Sequence, residues 1–368
     1  MMLNIDRRSL QSFDWVFFSI AAILVVFAFV NLTSATNSGV EGGVSDIVRR
    51  QGMVVALCSV VMVIILTIDY RHFERFAPLI YVASLLSLVA TLIIAPETRG
   101  ARAWLFEGRF QPSEFAKIAL VLVLARHFHR NPPEAHAGLR QLIRPILIAA
   151  PPVALIVAQK DMGVALLTLL VAITFLPFVR ITGSAWALIA VAGVGAMSAL
   201  WSYGLRPYQQ QRIFDFLDPE RDPLSSGYQA MQSRIAIGAG GMFGRGWMEG
   251  TQTQLRFLPT QHTDFIFSVL AEEWGFVGSI MVLSLFLAML LWGLWIATNS
   301  KDGFGALLAV GLVGTLFWPA AINIAMVLGL APVIGVPLPL FSYGGSAMLS
   351  AFISLGLLLN ISMRRYLF

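Results

Sequence analysis

A few charged side chains stand where an almost uncharged sequence gives little reason for them, and they decide what chemistry the chain could do. Glu114 and Lys117 lie three apart in Pro112-Ser113-Glu114-Phe115-Ala116-Lys117, a spacing that puts both on one helix face. Asp161 follows Lys160 in a turn between two apolar runs. Charges at membrane depth are costly, so each of these is a functional candidate. In the plainest role, Lys117 pairs with Glu114 or Asp161 so that no charge is left alone in a low dielectric. In the sharper one, one cation and two acids line a polar cavity open to the outside. The two roles are compatible, because a cavity also needs its charges balanced.

Asp264, in His262-Thr263-Asp264-Phe265, is expected to open a helix. An acid in a first turn serves there as a cap and complements the helix dipole. It is also a carboxylate at the lipid–water boundary, with His262 nearby, able to accept a proton from a hydroxyl group. Glu272 and Glu273 come two turns deeper. Adjacent helical residues point about 100° apart, so one is expected to face the interior and the other an interface, and neither is given a catalytic role.

Other chemistry is excluded. The glycines of Gly238-Ala239-Gly240-Gly241-Met242-Phe243-Gly244-Arg245-Gly246 match neither the P-loop nor the dinucleotide spacing and read as a sharply bending loop. Gly344-Gly345-Ser346-Ala347-Met348 lacks the last glycine and the preceding strand of a nucleophile elbow. Cys58 is the single cysteine, which excludes an internal disulfide and a cysteine-rich zinc site. The histidines offer no metal triad. The net charge of +5 is scattered over loops rather than gathered in a stripe, so no nucleic-acid partner is expected.

These residues must be positioned by apolar helices. Hydrophobic residues make up 57% of 368 positions against 12% charged, a balance that calls for lipid as the solvent. Runs able to cross about 30 Å of hydrocarbon occur at Trp15–Ala35, Gly52–Ile68, Phe76–Ala95, Met162–Val179 and Ile181–Leu205. Shorter or interrupted ones lie at Ser113–Ala125 and at Arg144–Ala158, where Pro151 and Pro152 should kink the helix unless neighbours satisfy the freed backbone groups. Phe265–Ser300 reads as one long helix. Gly303–Met363 carries no charge, and its prolines 332, 337 and 339 divide it into two spans with no polar group expected at depth.

The expectation is an all-α, polytopic membrane protein of about ten spans, a single unit over residues 1–368. Its long extracytoplasmic loop, Gly204 to Thr263, lies between helices 7 and 8. The short loops and tails on the side of the termini, with Arg7, Arg8 and Arg180 among them, carry about twice the basic residues of the other face, where Arg99 lies. That puts both termini in the cytoplasm.

Four runs carry a resemblance: Phe110-Gln111-Pro112-Ser113-Glu114-Phe115-Ala116-Lys117, Ile235-Ala236-Ile237-Gly238, His262-Thr263-Asp264-Phe265-Ile266-Phe267, and Pro337-Leu338-Pro339-Leu340-Phe341-Ser342-Tyr343-Gly344-Gly345-Ser346. Together, in this order and over essentially the whole length, they resemble the shape, elongation, division and sporulation family, on its elongation branch. The resemblance implies a ten-helix peptidoglycan glycosyltransferase in the bacterial cytoplasmic membrane. Such an enzyme polymerises lipid II on the outer face and works with a class B penicillin-binding protein. It implies Asp264 as the catalytic aspartate and Glu114, Lys117 and Asp161 as the charged residues of the cavity. Where the family often has Gln-Pro-Asp this chain has Gln159-Lys160-Asp161, and Ala103 stands where an arginine usually precedes Trp104. The stretch from Trp104 to Arg109 is also about two residues short, and Arg102 is the candidate for the missing arginine's role.

The implied mechanism has Asp264 taking the proton of the acceptor's 4-hydroxyl while that oxygen displaces undecaprenyl pyrophosphate from the donor with inversion. Lys117, Arg109 and Arg212 are the candidates to bind the leaving pyrophosphate. A divalent cation, Mg²⁺ or Mn²⁺, is the cofactor such groups suit, and no organic cofactor is expected. The rival class is a flippase that moves a lipid-linked sugar without making a bond, and a pure scaffold is a third.

Overall fold

The computed structural model describes residues 12–36, 45–98, 100–106, 108–132, 139–179, 183–218, 226–255, 257–258 and 260–365. All seven candidate site residues lie within it. Of the charges used to orient the chain, Arg7, Arg8, Arg99 and Arg180 lie outside the described residues, as does His136.

The apolar runs become helices α1 (Trp15–Thr36), α2 (Asp46–Thr67), α3 (Tyr70–Ile94), α4 (Pro112–Arg130), α5 (Leu139–Ala158), α6 (Met162–Ile173) and α7 (Gly183–Ala199). The long loop holds three more, α8 (Pro207–Leu217), α9 (Ser226–Gly240) and the single turn α10 (Thr251–Gln254). The chain then continues as α11 (Ile266–Thr298), α12 (Gly303–Val327) and α13 (Gly345–Arg364). Among the described residues seven helices are long and apolar enough to span a bilayer, and α7 with α8, bent by 113°, makes an eighth. α4 falls below that test by its charge and α6 by its length; adding them gives the ten expected spans.

The bundle is layered around α13. Its apolar window is 83% buried and that of α12 61%, against 22% for α2 and α3, so α13 is the central post and the others face lipid on one side. α7 makes no extensive packing with the other spans and exposes Val191, Val194 and Met197. A π-helical turn, Leu200–Gly204, ends it before the bend into α8. The proline-containing α5 stays helical. Pro152 has no N–H for the carbonyl of Ile148, and the Tyr81 hydroxyl donates to that oxygen at 2.6 Å instead.

The largest departure from expectation is in α11. It is broken at Gly275, whose φ of 66° and ψ of −161° are not helical, and the stretch Phe276–Thr298 alone is about 35 Å long. Helical hydrogen bonds that span Gly275 are thereby lost, among them those from Phe276 N–H to Glu272 O and from Val277 N–H to Glu273 O. The glycine-rich loop supplies all four partners. Arg245 N–H donates to Glu272 O at 3.0 Å and Gly246 N–H to Glu273 O at 3.1 Å; Phe276 N–H donates to Gly241 O at 2.9 Å and Val277 N–H to Met242 O at 3.1 Å. An orphaned backbone group costs about 1–3 kcal/mol even in a protein interior, so the break exists only with this splice. Gly244 is what lets the two backbones approach: a β-carbon there would lie 2.0 Å from Glu273 O. These glycines serve to join backbones, which is a tighter task than bending.

Candidate active site

α4 begins at Pro112, whose missing N–H costs nothing at the first helical position. That start sets Glu114 and Lys117 on a face pointing into the bundle, where both are buried. Lys117 Nζ donates to Glu114 Oε1 at 2.9 Å. Glu114 and Lys117 line a cavity whose other walls are α12 (Thr315, Pro319), α13 (Ser350, Ser354) and the segment Val336–Pro337.

Asp161 belongs to the same neighbourhood. It caps α6, accepting from Val164 N–H at 3.3 Å, and takes a hydrogen bond from Gln111 Nε2 at 2.8 Å. Gln111 is the residue just before α4, so one amide ties the acid to the start of the Glu114 helix. Burial pushes the Asp161 carboxyl above its ordinary range; the Val164 N–H and Gln111 work against the rise, Glu114 adds to it and Lys117 opposes it. Lys160 takes a left-handed conformation with φ of 66°. A proline, the residue the family often has there, could not adopt it, so the departure from Gln-Pro-Asp comes with a different turn.

Asp264 does not open α11. The first helical residue is Ile266, with Phe265 in the capping position, so Asp264 sits one residue ahead of the cap. What holds it is a set of donors on three consecutive carbonyls. Tyr343 N–H donates to His262 O at 3.0 Å, Ser342 Oγ to Thr263 O at 2.6 Å, and Asn323 Nδ2 to Asp264 O at 2.8 Å. Gly335, with φ of 73°, passes close enough that a β-carbon there would be 3.5 Å from Asp264 Oδ2. Because Val336 and Pro337 line the Glu114–Lys117 cavity, the 335–337 segment is a wall shared by the base candidate and the charged pair.

The arginines are not gathered at this wall. Arg109 is exposed, and its backbone carbonyl faces Ser346 Oγ at 3.4 Å, which puts it on the rim beside the start of α13. Arg102 is exposed; its N–H donates to Gln159 O at 2.9 Å and its charge acts on Glu97, which is ion-paired with Arg206. Arg212 lies along α8 with its guanidinium 5.9 Å from the Tyr208 ring. The cavity walls include none of the three.

Several expectations are corrected. Glu272 and Glu273 are both buried. Glu272 accepts from Gln252 N–H, Thr253 N–H and the Thr253 hydroxyl, closing the start of α10, while Glu273 accepts from Ser34. In α8 the Gln209 amide donates to Lys160 O, that of Gln210 to Trp201 O and that of Gln211 to the Asp215 carboxylate. Polar groups also exist at depth in Gly303–Met363. Ser350 and Ser354 lie one turn apart on the cavity face of α13, with Thr315 opposite, each donating to a backbone carbonyl.

A family model of cell cycle proteins, FtsW/RodA/SpoVE, matches residues 11–367. The chain belongs to this family. Among its relatives is the peptidoglycan glycosyltransferase MrdB of Escherichia coli K12, 42% identical over 349 residues that cover 93% of this chain and 91% of that protein. Another is the peptidoglycan glycosyltransferase RodA of Treponema pallidum, 34% identical and covering 97% and 99% of the two chains. The fold of this FtsW/RodA/SpoVE chain is similar to a solved chain of a peptidoglycan synthase complex that coordinates polymerization and crosslinking. Its TM-score there is 0.80, with 33% identity and 97% and 99% of the chains covered. It is also similar to the rod shape determining protein RodA of Thermus thermophilus, with TM-score 0.71, 30% identity and 96% and 98% coverage. The family places the chain among polytopic membrane proteins, as its helices do.

Asn323, Ser342 and Gln111, whose side chains join these segments by hydrogen bonds, are the groups that sequence reasoning passed over. Ser342 and Gln111 lie inside the resembling motifs, and Asn323 is an amide in an otherwise apolar run.

Proposed function

We infer that this family member is a peptidoglycan glycosyltransferase, as its relatives are, and that it polymerises lipid II at the outer face of the bacterial cytoplasmic membrane. The observation that carries the reading is the shared wall: one short segment, 335–337, runs from the Asp264 carboxylate to the Glu114–Lys117 cavity.

In this mechanism Asp264 takes the proton from the acceptor's 4-hydroxyl as that oxygen bonds to the donor's anomeric carbon. The bond from that carbon to pyrophosphate oxygen breaks on the opposite face and the configuration inverts. The leaving pyrophosphate needs positive charge. Lys117 supplies little net charge, because Glu114 already compensates it at 2.9 Å. Arg109, exposed beside the start of α13, is better disposed. Among the described residues no three His, Cys, Asp or Glu side chains gather to hold a metal. A divalent cation would have to be held mainly by the pyrophosphate oxygens, where it would offset the charge of the leaving group.

The flippase reading gains nothing from the hydroxyls of α13 and α12, since these are already bonded to helix carbonyls. A class B penicillin-binding protein is the partner this reading takes, supported by the synthase complex to which the chain is similar. The basic-residue bias supports cytoplasmic termini.

The test is incubation of the purified chain, with and without that partner, with lipid II. Glycan polymer should form, and Asp264→Asn should lower its rate by about a hundred- to ten-thousand-fold while the protein stays folded. Polymerisation at the parental rate by folded Asp264→Asn would end the assignment.

A further inference from the structure

Asn323 sits on α12 with no solvent exposure, in a run without charges. Its amide donates twice, to Asp264 O at 2.8 Å and to Val336 O at 2.6 Å. Two carbonyls on the same side settle which end of the side chain is nitrogen, since an oxygen there would face two acceptors. One amide thus ties the residue that bears the base to the wall that lines the charged cavity. A buried polar side chain in a span is expensive unless it does something.

We propose that Asn323 is a positioning residue for the glycosyl transfer, fixing the distance between the Asp264 carboxylate and the cavity wall through its two backbone bonds. This rests on the reading of Asp264 as the base. Ser342 is the second half of the device. Its hydroxyl donates to Thr263 O at 2.6 Å and accepts from Leu338 N–H at 2.8 Å, joining the same two segments one residue before Asp264 and two after Val336. A misplacement of about 1 Å at a reacting group costs on the order of a hundredfold in rate.

The experiment measures lipid II polymerisation by the full chain with its transpeptidase partner, separating kcat from KM, together with thermal unfolding in nanodiscs. Asn323→Ala should lower kcat ten- to a hundredfold with KM within twofold. Asn323→Gln, which keeps the amide, should recover part of that loss. Ser342→Ala, the milder variant, should lower kcat three- to tenfold and serves should Asn323→Ala fail to fold. In an Asp264→Asn background Asn323→Ala should cost nothing further, because the group it positions is gone. Unchanged kcat in folded Asn323→Ala and Ser342→Ala, with Asp264→Asn inactive, overturns the positioning role and leaves the base in place. A kcat loss that persists undiminished in the Asp264→Asn background overturns it too. Full activity of Asp264→Asn overturns both.

Discussion

Two buried asparagines lie towards opposite ends of the bundle and use the same device to different degrees. At the end that carries the chain termini, the inner one in the proposed orientation, Asn360 donates to Ile65 O at 2.7 Å and Ile68 O at 2.6 Å, and its oxygen accepts from Tyr70 N–H and Arg364 Nε. It closes the junction between α2 and α3 with every polar atom used. At the opposite end, the outer one in that orientation, Asn323 donates to two carbonyls in the same way, yet its Oδ1 is buried with no hydrogen-bond partner among the described residues. The outer end tolerates an unsatisfied acceptor that costs about 1–3 kcal/mol. Asn360 is placed to stabilise, and Asn323 holds a few groups in place at some cost to stability.

The sharpest way to test that contrast after Asp264→Asn is to unpair the buried charges. Lys117→Met leaves Glu114 without its counter-ion, a change that costs about 3–5 kcal/mol for a buried pair unless the acid takes up a proton. Both melting temperature and polymerisation should fall, the latter at least tenfold. Adding Glu114→Gln should restore the melting temperature, because no lone charge remains, and should leave polymerisation low. Recovery of both would show that the pair only neutralises itself.

At the inner end the expected pattern is reversed. Asn360→Leu removes donors from Ile65 O and Ile68 O and an acceptor from Tyr70 and Arg364, so stability should fall by about 2–4 kcal/mol. Specific activity per folded molecule should stay within twofold. A kcat loss as large as that of Asn323→Ala would erase the distinction between the ends.

How much of this was readable beforehand differs between the ends for the same reason. The spans follow from apolar length, and Glu114, Lys117 and Asp161 follow from the cost of charge in lipid, since both are local properties of the chain. The break at Gly275 was not readable. It depends on a loop some thirty residues upstream supplying four backbone hydrogen bonds, and one glycine inside an apolar run looks like any other. Asn323 escaped because an amide carries no charge to mark it, and its two partners are backbone atoms that leave no trace in the sequence. The arginines were grouped by charge alone, and the fold scattered them.

The smallest expected effect concerns pH, and it takes opposite signs at the two ends. Asp302, which caps α12, is pushed up by burial, but the Tyr70 hydroxyl, the Gly305 N–H and Arg71 outweigh that and hold its carboxyl below the ordinary range. Its contribution to stability is therefore present above the unfolded value of about 4 and is lost as pH falls through the lower folded value. Asp161, raised chiefly by burial, does the reverse: its contribution is present below about 4 and is lost as pH rises through the raised folded value. In nanodiscs between pH 3 and 8, Asp302→Asn should flatten the acid limb of the melting-temperature curve. Asp161→Asn should leave that limb intact and remove only the gentler decline on the rising side. If both substitutions altered the same limb, the two acids would share one environment, and the contrast between the two ends would fail at its most direct electrostatic test.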